Sequence, residues 1–354
     1  MSITSEIRPG ANRYINHTGA LAELPELLAP FTQPIIVTGE RSYAAFSQFA
    51  PQLDLPVYRY DGSASDEDAA RIAQEAPDAD VVLAIGGGRV LDTAKVTAEL
   101  LHAPLIAVPT LASNCAPYTP VGAIYHPDHR FKRVAYFTQA PYATVVDWQL
   151  ILTTPRDYFI AGIGDTLAKW YELAGLTHGR EGSLPVFTRV AKAIAQELLT
   201  TLQNYAPAAL DALASGTVTP AFTAVADAII GVAGTTGGFG VADGRQAGAH
   251  AVHNGLTHIP ETHAILHGSK VAYGILVQLA YTGDAVDLRA LLPFYQTIGL
   301  PTNLAALDIT TDVEAKMHTV AAAAASPEES FTLIDPQVTA EGIVKAMQAV
   351  EAGA

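Results

Sequence analysis

Short apolar, β-branched runs alternate with helical stretches through the first 155 residues: Ile35-Ile36-Val37-Thr38, Val57-Tyr58-Arg59-Tyr60, Val81-Val82-Leu83-Ala84-Ile85, Leu105-Ile106-Ala107-Val108 and Thr144-Val145-Val146. That alternation predicts an α/β unit built on a largely parallel sheet. After Pro155 such runs nearly vanish, and Ala/Leu-rich segments follow at 186–202, 221–232, 269–280 and 341–350. The second half is expected to be all-helical, its helices separated at Gly182, Pro207, Gly216, Pro220 and Pro301. The pattern divides the chain into an α/β domain, 1–155, and a helical domain, 156–354. They meet near residues 148–160, and ligands favour such junctions.

Composition narrows the function classes. At 354 residues, 49% hydrophobic and 16% charged, the chain can bury a sizeable core in two domains. A net charge of −15, with no local cluster of Lys and Arg to offset it, argues against a nucleic-acid partner. No apolar run is read as reaching the roughly 18 residues of a spanning helix, and Met1–Glu6 lacks the features of a signal peptide. A cytoplasmic protein with no membrane partner is therefore expected. The single cysteine, Cys115, excludes an internal disulfide and a thiolate metal cluster, so metal binding would use nitrogen and oxygen.

Two regions carry candidate chemistry. The run ending at Ile85 leads directly into Gly86-Gly87-Gly88-Arg89-Val90-Leu91-Asp92-Thr93-Ala94-Lys95. Glycines between a strand and a helix let the backbone approach a ligand, and free N–H groups at the helix start suit a phosphate, as of a nucleotide pyrophosphate. Such turns also serve only to reverse the chain, and the spacing is not G-x-G-x-x-G. A second polar loop, Pro109-Thr110-Leu111-Ala112-Ser113-Asn114, follows the next strand. It offers groups for ribose and a nicotinamide amide.

The other region begins at Gly162-Ile163-Gly164-Asp165-Thr166-Leu167-Ala168-Lys169. A helix opening after Gly164 would carry Asp165 in its first turn, where helix capping is the alternative to ligation. Residues 250–267 hold five of the eleven histidines, His250, His253, His258, His263 and His267. One carboxylate with two imidazoles can hold a divalent metal and leave a coordination position open. Spacing does not choose the two: His250 and His253 can share a helical face, while His258 and His263 flank Pro260 in a loop.

Taken in order, Gly86-Gly87-Gly88 with Asp92-Thr93-Ala94-Lys95, Pro109-Thr110 with Ala112-Ser113, Gly162–Asp165, His250-Ala251-Val252-His253-Asn254-Gly255 and His267-Gly268-Ser269-Lys270-Val271-Ala272-Tyr273-Gly274 resemble the iron-containing alcohol dehydrogenase superfamily, in its glycerol dehydrogenase branch, over nearly the whole chain. The resemblance implies an N-terminal nucleotide-binding domain with a Rossmann-like parallel sheet, an all-α C-terminal domain of the dehydroquinate synthase-like fold, and a metal in the cleft between them. It places metal ligands on Asp165, His250 and His267. It places nucleotide contacts on Gly86, Gly87, Gly88, Arg89, Val90, Thr110, Ser113, Thr119, Val121 and Tyr125.

Three departures bear on substrate and cofactor. Where glycerol dehydrogenases carry Ser-Thr-Asp-Ala-Pro, this chain reads Ser113-Asn114-Cys115-Ala116-Pro117; the polyol-binding carboxylate is missing and Cys115 takes its place in the substrate site. Lys169 stands where the iron-dependent branch places another His ligand. It is either an i,i+4 partner of Asp165 or an ammonium beside the metal, suited to a substrate carboxylate or to proton transfer. Gly39 replaces the Asp frequent in NAD-preferring relatives, and Arg41 is near enough in sequence to pair with a 2′-phosphate, although Glu40 argues the other way. NADP(H) is slightly favoured over NAD(H).

These departures resemble the hydroxycarboxylate dehydrogenase subgroup, whose members reduce 2-oxo acids. The expectation is a metal-dependent oxidoreductase moving a hydride between nicotinamide and a small 2-oxo acid/2-hydroxy acid or ketone/alcohol. Lys169 would hold the substrate carboxylate and His253 would relay the proton, with zinc ahead of iron as the metal. The expected partners are a small-molecule substrate and, from the resemblance, further copies of the chain in a homo-oligomer. The first alternative is a glycerol dehydrogenase; remoter ones are a dehydroquinate synthase-like lyase and a ligand-binding relative without catalysis.

Overall fold

In the computed structural model, which describes residues 6–353, the chain begins β1 (Tyr14–His17), α1 (Leu24–Leu28), β2 (Pro34–Thr38), α2 (Glu40–Phe46), β3 (Val57–Arg59), α3 (Asp66–Glu75), β4 (Val81–Gly86), α4 (Gly88–Leu100), β5 (Leu105–Pro109), β6 (Val121–Tyr125), β7 (Phe131–Tyr136), β8 (Ala143–Asp147) and α5 (Trp148–Ile151). It continues as helices α6 (Arg156–Thr177), α7 (Val186–Ser215), α8 (Pro220–Asp227), α9 (Ala233–Gly240), α10 (Gly248–Leu256), α11 (His267–Thr282), α12 (Ala285–Ile298), α13 (Val313–Ala324) and α14 (Ala340–Glu351). Contacts group residues 8–155 and 211–235 as one unit, and 156–210 with 236 onward as the other.

In the first unit six strands form an all-parallel sheet in the order β1-β8-β5-β4-β2-β3. Side chains alternate across it as the two-residue strand period requires. Leu83, Ile85, Ile36 and Ile106 pack on one face with Leu24 of α1 and Phe46 of α2. Val82, Ala84, Val37 and Ala107 pack on the other with Ile72 of α3 and Leu91 of α4. The strand order reverses at β2, whose neighbours are β3 on one side and β4 on the other. In such sheets ligands bind outside the carboxyl ends of the strands at that reversal. Gly39 follows β2, and Gly86-Gly87-Gly88 ends β4 and opens α4.

The sequence reading missed β1 and the antiparallel hairpin β6–β7. The outer strand of the hairpin, Phe131-Lys132-Arg133-Val134-Ala135-Tyr136, is mostly exposed and polar, so it lacks the buried apolar run that marks the others. Buried groups of α4 hold this hairpin. Asp92 accepts from the Ala123 amide at 3.2 Å, and the Lys95 ammonium donates to the Val121 carbonyl, 3.7 Å from Asp92. Burial pushes the Asp92 carboxyl up to about 6, against the pull of Lys95.

Two further expectations are corrected. Pro207 does not end a helix: α7 runs through it, and the carbonyl it leaves without an N–H partner is that of Gln203, an exposed residue. Residues 220–240 form a helical run long and apolar enough, by length and composition, to cross a membrane, contrary to the run-length reading. Of the apolar 18-residue window within it, 61% is buried inside the fold. The part of it that was expected in the helical half but packs with the first unit is tied to β1: Tyr14 Oη donates to Asp227 at 2.8 Å, and Asn16 Nδ2 donates to both carboxylate oxygens at 3.0 and 2.9 Å.

In the second unit α11 is the central helix, buried from Lys270 to Leu279 and packed against α6, α10 and α14. Two glycines allow the close approach. A Cβ on Gly268 would stand 1.8 Å from the Ala161 carbonyl oxygen of α6, and one on Gly274 would stand 2.3 Å from the Ala249 carbonyl oxygen of α10. Each lies beside a metal-ligand candidate, Gly268 next to His267 and Ala249 next to His250.

Candidate metal centre and nucleotide loops

Asp165 lies in the middle of α6 rather than in its first turn, so helix capping does not explain it. Its Oδ1 stands 3.4 Å from His250 Nε2 and 3.4 Å from His267 Nε2, and the donor atoms of the three residues lie within 4.8 Å of one another. A distance of 3.4 Å is long for an N–H···O bond. It matches two donors each about 2.0–2.2 Å from one tetrahedral ion, which stand about 3.3–3.6 Å apart. The donor set and its spacing therefore fit a zinc-type divalent cation. Burial alone would raise the Asp165 carboxyl, but the two imidazoles hold it well below the usual carboxylate range.

Glu172, two turns beyond Asp165 on α6, completes this arrangement and was not singled out from the sequence. Its Oε2 takes His250 Nδ1 at 2.9 Å, while Oε1 accepts the amides of Ala247 and His250 at 2.6 and 3.0 Å, at the open end of α10. One buried carboxylate thus anchors the α10 terminus and turns the imidazole so that Nε2 faces Asp165. Burial would lower the His250 pKa, yet Glu172 and Asp165 push it up to about 9. The available signal was spacing: Asp165, Lys169 and Glu172 recur at i, i+4 and i+7 in an otherwise apolar helix.

His253 Nε2 meets His267 Nδ1 at 2.9 Å, and His253 Nδ1 meets Asn254 Oδ1 at 3.0 Å. Both ring nitrogens are thus engaged, Nε2 with the ligand candidate His267 and Nδ1 with its neighbour Asn254. Burial first, then the neighbouring His267 and Lys270, depress its pKa well below the usual histidine value. His263 turns to the Thr257 carbonyl at 3.1 Å, outside the triad. Lys169 is buried, and its ammonium donates to the Arg245 carbonyl at 2.8 Å.

In the first unit Gly86–Val90 form the end of β4 and the start of α4, where no described side chain caps the helix. The loops are laced together: Thr38 Oγ1 donates to the Ile85 carbonyl at 2.7 Å, and the Thr110 amide to the Gly86 carbonyl at 3.2 Å. A Cβ on Gly88 would stand 3.0 Å from Asn114 Nδ2, so the two loops expected to serve one ligand are adjacent. Ser113, Cys115 and Thr119 are half-buried in the loop that leads to Val121 and Tyr125 of β6. Arg89 lies over the Tyr125 ring at 4.9 Å. Arg41 is exposed. The guanidinium that reaches Gly39 is instead Arg59 at the end of β3, which donates to the Gly39 carbonyl at 3.1 Å, pairs with Glu40 at 3.0 Å and stacks on Tyr43 at 4.5 Å. Strand adjacency, not sequence proximity, places it there.

Residues 11–148 match the family model described as iron-containing alcohol dehydrogenase. The chain is 37% identical over 349 residues to hydroxycarboxylate dehydrogenase A of Escherichia coli (strain K12), covering 97% of this chain and 96% of that one. It is 32% identical to the glycerol dehydrogenase of Thermotoga maritima, over 99% of this chain and 97% of the relative. Among solved structures it resembles a probable glycerol dehydrogenase from Sinorhizobium meliloti 1021, with a TM-score of 0.89, 30% identity and 99% of both chains covered.

Proposed function

We propose that this chain, which belongs to the iron-containing alcohol dehydrogenase family and is an oxidoreductase acting on alcohol groups, interconverts a small 2-oxo acid and the matching 2-hydroxy acid. The observation that carries the reading is the Asp165–His250–His267 triad, with His250 oriented by Glu172. Asp165, His250 and His267 would hold a divalent ion, which would supply Lewis-acid polarisation of a carbonyl oxygen. In the reductive direction the nicotinamide C4 gives a hydride to the carbonyl carbon, and the oxygen takes a proton from solvent. Gly86–Val90 and Thr110 hold the nucleotide. Lys169, fixed by the Arg245 carbonyl, faces the substrate carboxylate with an ammonium that carries three donors.

Two features favour an oxo acid over a polyol. Cys115 offers no carboxylate to bridge two hydroxyls, and Lys169 adds a positive charge one turn from Asp165. The hydroxycarboxylate dehydrogenase among the relatives supports the same substrate class. Following NADPH and NADH absorbance across 2-oxo acids, aldehydes, dihydroxyacetone and glycerol tests it. A 2-oxo acid is expected to give the highest kcat/KM, and a clear preference for glycerol or dihydroxyacetone overturns the reading. Lys169→Met should raise KM for the oxo acid by about ten- to a hundred-fold, the worth of a hydrogen bond to a charged group, and leave a neutral ketone unaffected.

For the cofactor the same proposal favours NADP(H). Arg59 occupies Glu40, the group that would repel a 2′-phosphate, and Gly39 brings no carboxylate of its own. Arg59→Ala should raise KM for NADPH by about tenfold or more while KM for NADH changes little. Equal changes for both nucleotides would remove Arg59 from the discrimination.

A further inference from the structure

His267 can offer Nε2 to a metal only when its other nitrogen, Nδ1, carries the ring proton. For His250 that choice is made directly by the Glu172 carboxylate. His267 has no carboxylate at Nδ1. Its partner is His253 Nε2, an imidazole that can either donate or accept, so the pair does not fix its own polarity.

The polarity is fixed two residues further on. Asn254 of α10 places Nδ2 at 3.1 and 2.9 Å from the two carboxylate oxygens of Glu329. An ionised carboxylate only accepts, so the amide must turn its NH2 toward Glu329 and its oxygen toward His253. The amide oxygen also only accepts, and it stands 3.0 Å from His253 Nδ1. His253 therefore carries its proton on Nδ1, its Nε2 is left as an acceptor, and His267 donates Nδ1–H, so that Nε2, 3.4 Å from Asp165, is the nitrogen it can offer to an ion. Glu329 precedes the 3₁₀ turn Ser330–Leu333, yet its side chain does not cap that turn. Ser330 Oγ instead donates to the Ala247 carbonyl at 2.7 Å, holding the turn against the start of α10.

We infer that Glu329, acting through Asn254 and His253, sets His267 in the tautomer that can ligate a metal. Glu329 and Asn254 are positioning residues, and the two histidine ligands are oriented by two different carboxylates, one in contact and one at the end of a hydrogen-bond chain. The consequence for metal binding rests on the proposed metal reading; the tautomer assignment stands without it.

The test uses full-length protein with 15N-labelled histidine. Long-range 1H–15N spectra of the metal-free protein should show His267 Nδ1 fully protonated. Glu329→Gln keeps the shape but can donate as well as accept, so Asn254 is free to flip. That variant should show a mixture of His267 tautomers and bind cobalt(II) about ten- to a hundred-fold more weakly. The double variant Asn254→Asp/Glu329→Gln restores the polarity: Asp at 254 accepts from His253, and Gln at 329 donates to it. It should return the single tautomer and an affinity on the order of the parent's. A merely structural contact predicts no such rescue. A fully protonated His267 Nδ1 and parent affinity in Glu329→Gln, or a double variant no better than the single one, overturns the inference. A parent protein that binds no cobalt(II) instead removes the metal reading, and the tautomer spectra then decide this proposal alone.

Discussion

Asp165→Asn is expected to lower turnover by at least about a thousand-fold, because a bound Lewis acid supplies several kcal/mol of transition-state stabilisation and each 1.36 kcal/mol is tenfold in rate. The substitution keeps the side-chain shape in the middle of α6 and removes the only anionic donor of the triad. A neutral amide also leaves His250 and His267 without the carboxylate that lies 3.4 Å from each. Elemental analysis should find the variant depleted in metal. Nicotinamide nucleotide binding, read by fluorescence titration, should be close to the parent's, since the proposed nucleotide contacts, Gly86–Val90 and Thr110, belong to the other unit. Turnover above about a tenth of the parent rate would make the carboxylate structural.

The parts of this site that the sequence disclosed differ in kind from the parts it hid. Buried parallel strands such as Val81–Gly86 announce themselves because both faces are covered and nearly every position is apolar. The hairpin strand Phe131–Tyr136 does not, because its outward positions are polar and its support comes from Asp92 and Lys95 on α4. Asp165 and the histidines were visible as unusual residues, but spacing alone did not choose His250 and His267 among five. That choice followed from family resemblance and matches the three donors that converge in the fold. The carboxylates proposed to orient the candidate ligands stayed hidden for a physical reason. Glu172 meets His250 across 78 residues and Glu329 meets Asn254 across 75, and no periodicity within a helix encodes either pairing. Arg59 is another such case, brought to Gly39 by the parallel pairing of β2 and β3. Conversely, Pro207 carries a strong local signal that tertiary structure overrides.

Gly268→Ala is expected to unsettle both stability and the metal centre. In an exposed helix this change would stabilise by about 1 kcal/mol through propensity. Here the new Cβ would lie 1.8 Å from the Ala161 carbonyl oxygen and 2.6 Å from its carbon, atoms of the α6 backbone that cannot rotate away as a side-chain end can. Relief requires α6 and α11 to separate, and overpacking of this kind costs about 1–3 kcal/mol or more. The same separation acts on function, because Asp165 and His267 sit on these two helices beside Gly164 and Gly268, and a Cβ on Gly164 would itself lie 2.6 Å from the Gly268 carbonyl oxygen. The variant should melt about 1–4 °C below the parent and bind cobalt(II) more weakly. Gly182→Ala is the control: nothing lies within 4 Å of a Cβ there, so both readouts should stay at parent values. Parent-like melting and cobalt(II) binding in Gly268→Ala would mean that the spacing of Asp165 and His267 is not set by this helix crossing.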